Sequence, residues 1–198
     1  MTPEEYMQIA IEEAKKGSGF TSPNPLVGAV LVKDGKIVGK DYHHKYGEFH
    51  AERNAILNCK EDLAGASLYV TLEPCCHYGK TPPCTQIIIE RGIEKVYIGS
   101  YDPNPKVNGG GIKQLKDAGI EVVTEVLKEE CDALNPVFFH YIEKTLRCFK
   151  ICDDSRWKNC DKNRSLKMDY RRSGEKTCAV QPKNLQWDHG GDRNRVSR

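Results

Sequence analysis

Residues 67–84 read SLYVTLEPCCHYGKTPPC. The first six, SLYVTL, concentrate aliphatic, aromatic and β-branched side chains as a short buried strand does. The remainder cannot continue that strand, because Pro74, Pro82 and Pro83 remove ladder donors. It carries instead three thiols, Cys75, Cys76 and Cys84, together with His77 and Lys80. From Cys84 the stretch CTQIIIERG has helical spacing and a glycine stop. A strand that hands a cysteine-rich loop to a helix is the unit that decides the fold, and the sequence then repeats the alternation: EKVYIGS as strand, GIKQLKDAG as helix, IEVVTEV as strand.

Toward the N-terminus the same punctuation holds. Thr2, Pro3 and Glu5 form a capping-box start, Met7, Ala10, Ile11 and Ala14 recur at helical spacing, and Gly17 closes that helix. LVGAVLVK, the turn KDGK and IVGKD predict a β-hairpin. HAERNAILNC predicts a helix starting near His50. A last helix is expected from Leu127 to about Lys144, broken or kinked at Pro136. Strands alternating with helices in this way predict an α/β domain of three layers, α/β/α, with helices on both faces of one sheet.

Composition narrows the class. A chain of 198 residues with 38% apolar and 29% charged residues can bury one α/β core with an appendage. No run is long and apolar enough to span a bilayer, and MTPEEYMQIAIEEAKKG is acidic where an export signal needs basic residues, so the cytoplasm is expected. Nine cysteines, odd in number and clustered, point to metal ligation plus bystanders rather than a disulfide framework. Charge is divided: residues 1–146 carry 16 Lys and Arg against 21 Asp and Glu, whereas residues 147–198 carry 14 against 7.

The chemistry gathers in two segments. His50 and Glu52 place an imidazole and a carboxylate two positions apart at a helix start, and Pro74-Cys75 begins the next helix-leading loop. One histidine and two thiolates hold zinc tetrahedrally and leave a fourth position for water. Zinc deaminases pair an H-x-E segment with P-C-x-x-C, the glutamate moving protons without ligating. Here the spacing departs from that pattern, since Cys76 follows Cys75 directly and Cys84 lies nine positions beyond it. Neighbouring side chains in an extended turn diverge, so Cys75 and Cys76 are not expected to share one ion.

Taken with TSPNPLVGAV, YGEFHAERNA, GKTPPC and SYDPNPKVNGGG, this spacing resembles the deaminase domain of the bifunctional riboflavin-biosynthesis deaminase-reductases, over roughly residues 3–145. The resemblance implies a cytidine deaminase-like fold with one zinc per chain, held by His50, Cys75 and Cys84. Glu52 is then the catalytic glutamate, and Cys76 stands where that family usually carries serine. It further implies a substrate pocket lined by Asn24, His77, Lys80, Asp102 and Asn104. The reaction expected is hydrolytic deamination of 2,5-diamino-6-(5-phosphoribosylamino)pyrimidin-4(3H)-one to 5-amino-6-(5-phosphoribosylamino)uracil. Expected partners are this small molecule and, at most, further copies of the chain as a homo-oligomer, with no nucleic acid and no membrane. Deamination of another base or nucleotide, or a zinc-stabilised binding protein without catalysis, are the competing readings. Cys59 and Cys131 read as core or bystander thiols, and His43, His44 and His140 show no partner pattern.

In the resembling family an NADPH-using reductase domain follows. Residues 146–198 show no helical or strand period and would ordinarily read as a basic, disordered arm. Synonymous codons can be chosen for Leu146 to Arg164 that, read one nucleotide later, spell FVVLKYAMTLDGKIATKTG, which resembles the opening of that reductase. With codons chosen in the same way, the same shift can turn Gln186 to Arg195 into SGIMVGIGTV. We therefore expect a deaminase domain over residues 1–145 and a frameshifted, largely disordered tail over 146–198. NADPH is not expected, and Cys148, Cys152, Cys160 and Cys178 carry no designed role.

Overall fold

The computed structural model describes residues 1–79, 81–104, 107 and 109–142, and the backbone of residues 166–167 and 179–180. Met1–Leu146 forms one compact unit and Arg147–Arg198 a second. In the first, helix α1 (Pro3–Lys15) begins at the expected capping box: the Thr2 hydroxyl accepts from the Glu5 amide and the Glu5 carboxylate from the Thr2 amide. Strands β1 (Gly28–Lys33) and β2 (Lys36–Tyr42) form the hairpin. Its turn residues Asp34 and Gly35 have φ of 50° and 74°, the positive values that a two-residue turn between twisted strands requires.

Helix α2 (Ala51–Asn58), strand β3 (Ser67–Leu72), helix α3 (Cys84–Glu90), strand β4 (Lys95–Ser100), helix α4 (Gly110–Asp117) and strand β5 (Glu121–Val123) follow in order. The sheet runs β2-β1-β3-β4-β5, with β1 antiparallel to both β2 and β3 and the pairs β3–β4 and β4–β5 parallel. Alternation along the strands builds two cores. Ala29, Leu31, Leu68, Val70, Val96 and Ile98 pack against α2, α3 and α4 on one face. Val30, Val32 and Tyr69 turn to the other, against α1 and helix α5 (Lys128–Leu134), with Tyr6 and Tyr97 against the Tyr69 ring. The three expected layers are present.

One element differs in extent from the sequence reading. IEVVTEV pairs over only three residues, because Glu125 and Leu127 take positive φ (67° and 51°) and turn the chain into α5. The last helix breaks where Pro136 demands it. Asn135 leaves the helical region at φ −129° and ψ 43°, and residues 136–142 are again helical. Among the described residues no helix is long and apolar enough to cross a membrane. In the second unit, residues 166–167 pair antiparallel with 179–180. The disorder expected for the rest of 146–198 lies outside the described residues.

Candidate metal centre and cleft

The carboxyl ends of the sheet deliver the chemistry. His50 is the residue before α2 and Cys84 the first residue of α3, so both sit at helix N-termini, while Cys75 lies on the loop that leaves β3. His50 makes no capping bond. Its Nδ1 faces the sulfurs instead, 3.5 Å from Cys75 Sγ and 3.5 Å from Cys84 Sγ. The three donor atoms lie within 4.8 Å of one another. A tetrahedral zinc site, with Zn–N near 2.0 Å and Zn–S near 2.3 Å, has an N···S edge of about 3.6 Å. The residues present therefore fit zinc in donor type and in spacing.

Electrostatics prepare the same exchange of protons for metal. A hydrogen bond from Cys84 and the neighbouring His50 hold the Cys75 thiol below its ordinary range. The Cys84 amide adds a 3.4 Å bond to the Cys75 sulfur, as helix N-termini do for thiolates. Cys84, bonded to that sulfur and buried, goes up, and its bond with Cys75 raises His50. These groups share protons that a divalent cation would displace.

Glu52 stands one step inside α2 and is 3% exposed. Burial pushes its carboxyl up to about 7, and its Oε2 has no hydrogen-bond partner among the described residues. A buried carboxylate oxygen without a partner is costly, so a reacting water or substrate group is the natural complement. Glu52 lines a cleft of about 480 Å³ together with His50 and Cys75. Asn24, His77, Asp102 and Asn104, all expected from the sequence, line the same cleft. Lys80 lies outside the described residues. Cys76 is not with the donor set: a Cβ on Gly110 would meet its Sγ at 2.9 Å, which places it under α4.

Burial raises the Asp102 carboxyl to about 6, and its Oδ1 accepts from the Asn104 amide at 2.8 Å. His77 Nδ1 is buried without a partner among the described residues. Several cleft residues escaped the sequence reading, among them His43, Glu73 and Phe138. His43, 2% exposed, bonds through Nδ1 to the Phe49 carbonyl at 3.0 Å and through Nε2 to Asn24 Nδ2 at 3.0 Å. The carbonyl can only accept, so Nδ1 carries the proton and Nε2 receives the Asn24 amide hydrogen. Burial lowers the pKa of this ring. Asn24 is thereby fixed as to which end of its amide meets His43. Glu73 and Phe138 complete the wall. A pairing of residues 24 and 43 has no local signature, and Phe138 follows a helix break whose direction only the fold sets.

Residues 1–100 match the family described as the cytidine and deoxycytidylate deaminase zinc-binding region. The chain is 66% identical over 143 residues to the riboflavin biosynthesis protein RibD of Actinobacillus pleuropneumoniae, covering 72% of this chain and 38% of that protein. It is 50% identical over 134 residues to the diaminohydroxyphosphoribosylamino-pyrimidine deaminase of Buchnera aphidicola subsp. Schizaphis graminum, covering 68% of this chain and 91% of that one. A crystal structure of the Thermotoga maritima diaminohydroxyphosphoribosylaminopyrimidine deaminase/5-amino-6-(5-phosphoribosylamino)uracil reductase superposes with a TM-score of 0.70 at 52% identity, over 72% of this chain and 42% of that one. The chain thus spans less than half of the two-activity relatives and nearly all of the single-activity one.

Proposed function

Because the chain belongs to the cytidine and deoxycytidylate deaminase zinc-binding family, we propose that it hydrolytically deaminates 2,5-diamino-6-(5-phosphoribosylamino)pyrimidin-4(3H)-one to 5-amino-6-(5-phosphoribosylamino)uracil. The observation that carries this reading is the convergence of His50, Cys75 and Cys84 beside the buried carboxyl of Glu52, whose Oε2 has no partner among the described residues. His50, Cys75 and Cys84 would hold the metal. Zinc, when bound, supplies Lewis acidity that brings a water within reach of deprotonation near neutral pH.

Glu52 does the proton work. Held near neutrality by burial, it takes a proton from the attacking water and returns it to the substrate, so that the ring carbon gains oxygen and loses its amine as ammonia. Asn24, its amide oriented by His43, and Asn104 offer donors and acceptors suited to a pyrimidine edge. His77 and Asp102 close the cleft, and Lys80 is the proposed flexible cation for the phosphate. The proposed setting is the cytoplasm, with a small molecule as partner.

The test is ammonia release from that substrate by purified protein, with bound zinc measured in the same sample and dCMP as comparison substrate. Turnover with about one zinc per chain and strong preference over dCMP is the expected result. Zinc without turnover would refute the substrate assignment, and no zinc in a folded chain would refute the ligand set.

A further inference from the structure

Glu73 interrupts an apolar strand end with a carboxylate that is 4% exposed. A buried carboxylate survives only where donors compensate its lost hydration. Three do so: Glu73 Oε2 accepts from the Gly109 amide at 3.1 Å, and Oε1 accepts from the Gly111 and Ile112 amides at 3.0 and 3.2 Å. All three donors belong to the entry and first turn of α4, where an anion also complements the helix dipole. The backbone of the same residue holds the other end of the intervening loop, its amide donating to the Ser100 carbonyl at 2.9 Å.

Between those two anchors lie Asp102 and Asn104. Their bonds form a relay toward α4: the Asn104 amide donates to Asp102 Oδ1, the Val107 amide to the Asn104 carbonyl, and the Gly110 amide to the Val107 carbonyl. Two residues beyond Glu73 comes Cys75 of the donor cluster. One side chain therefore ties the segment carrying the metal ligand to the segment carrying the cleft's polar wall. Resting on the deaminase reading above, we propose that Glu73 is a positioning residue for substrate binding, which clamps the Asp102–Asn104 segment at a fixed distance from the metal centre. It is neither a metal ligand nor a proton carrier.

The chemistry of the donors makes the clamp specific. Among the described residues the groups bonded to the carboxyl are N–H donors, so both of its ends accept. Glu73→Gln would turn an NH₂ toward one of them, and Glu73→Asp would fall short by a methylene while keeping two acceptors. In the full chain, Glu73→Gln is expected to keep about one zinc and to raise KM for the phosphoribosylated diaminopyrimidinone about tenfold or more, with kcat within about threefold, as loss of uniform binding predicts. Hydrogen exchange at the Gly111 and Ile112 amides is expected to accelerate at least about tenfold, since local opening then costs less. Glu73→Asp should recover part of both effects.

Zinc loss in a folded Glu73→Gln chain, an unchanged KM, or faster exchange without a KM change would each overturn the proposal. Exchange in the unmodified chain keeps the clamp testable if that variant does not fold: the Gly111 and Ile112 amides must be protected, and exchange at exposed-loop rates would overturn it. Should the unmodified chain release no ammonia, the substrate reading fails separately. The exchange difference between Glu73→Gln and the unmodified chain then decides the clamp alone.

Discussion

A carboxyl as deeply buried as Glu52 pays for ionisation with lost hydration, which is what lifts it to about 7. An amide of the same shape relinquishes that penalty along with the proton chemistry. Glu52→Gln is accordingly expected to keep its zinc and to melt within about 3 °C of the unmodified chain, the shift that about 1 kcal/mol produces at this size. Ammonia release should fall about 10²- to 10⁴-fold, the usual contribution of a positioned acid–base group. Calorimetry, metal analysis and the ammonia assay on one preparation check all three, and retained turnover would remove Glu52 from the mechanism. The adjacent thiols separate by the same geometric reasoning. His50 Nδ1 meets the sulfurs of Cys75 and Cys84, while Cys76 packs beneath Gly110. Cys75→Ser and Cys84→Ser should each lose zinc, and Cys76→Ser should hold about one per chain. Zinc loss from Cys76→Ser alone would invert the assignment.

At the scale of elements, the legible and the illegible parts divide by whether the cause is local. The capping box at Thr2, the Asp34-Gly35 hairpin turn and the break at Pro136 all follow from residues within one turn of each other, and each lies where the sequence places it. The cleft's second wall does not, because it depends on α4 docking against the loop after β3. A Cβ at Gly111 would lie 2.1 Å from the Pro74 carbonyl oxygen and 3.2 Å from Glu73 Oε1, and Gly109 enters the helix at φ 81°. The GGG run is thus a docking surface whose partner is nearly forty positions earlier, invisible to any local period. Gly111→Ala should force the two apart, costing about 1–3 kcal/mol as overpacking does and weakening zinc retention, measurable by chemical denaturation and metal analysis. In the same wall, burial raises the Asp102 carboxyl to about 6. Its folded form then holds a proton that the unfolded chain releases near pH 4. As pH rises from about 4 to 6 the unfolded state binds fewer protons, so this residue's contribution to stability declines across that window and levels off above it. Asp102→Asn, which keeps an acceptor for the Asn104 amide, should flatten that part of the stability profile; an unchanged slope would show that another group titrates there.

For the whole molecule, the question is which part of the chain the site needs. The described buried members of both apolar cores lie between Tyr6 and Cys131, and the described lining of the cleft runs from Asn24 to Phe138. Met1–Leu146 forms a compact unit that contains all of these groups. The charge balance changes sign over the same boundary, and synonymous codons can be chosen from Leu146 onward that spell a reductase-like string one nucleotide later. We propose on these grounds that the deaminase activity does not require residues 147–198. A chain ending after Leu146 is expected to bind about one zinc, to melt within about 3 °C of the full chain and to turn over substrate with unchanged KM. Loss of zinc or a larger fall in melting temperature would show that the basic tail supports the fold. Sequencing the coding DNA across the Leu146 codon tests the origin of the tail independently: a one-nucleotide change that restores an open reductase frame is the expected finding, and a shifted frame closed by early stop codons would reject it.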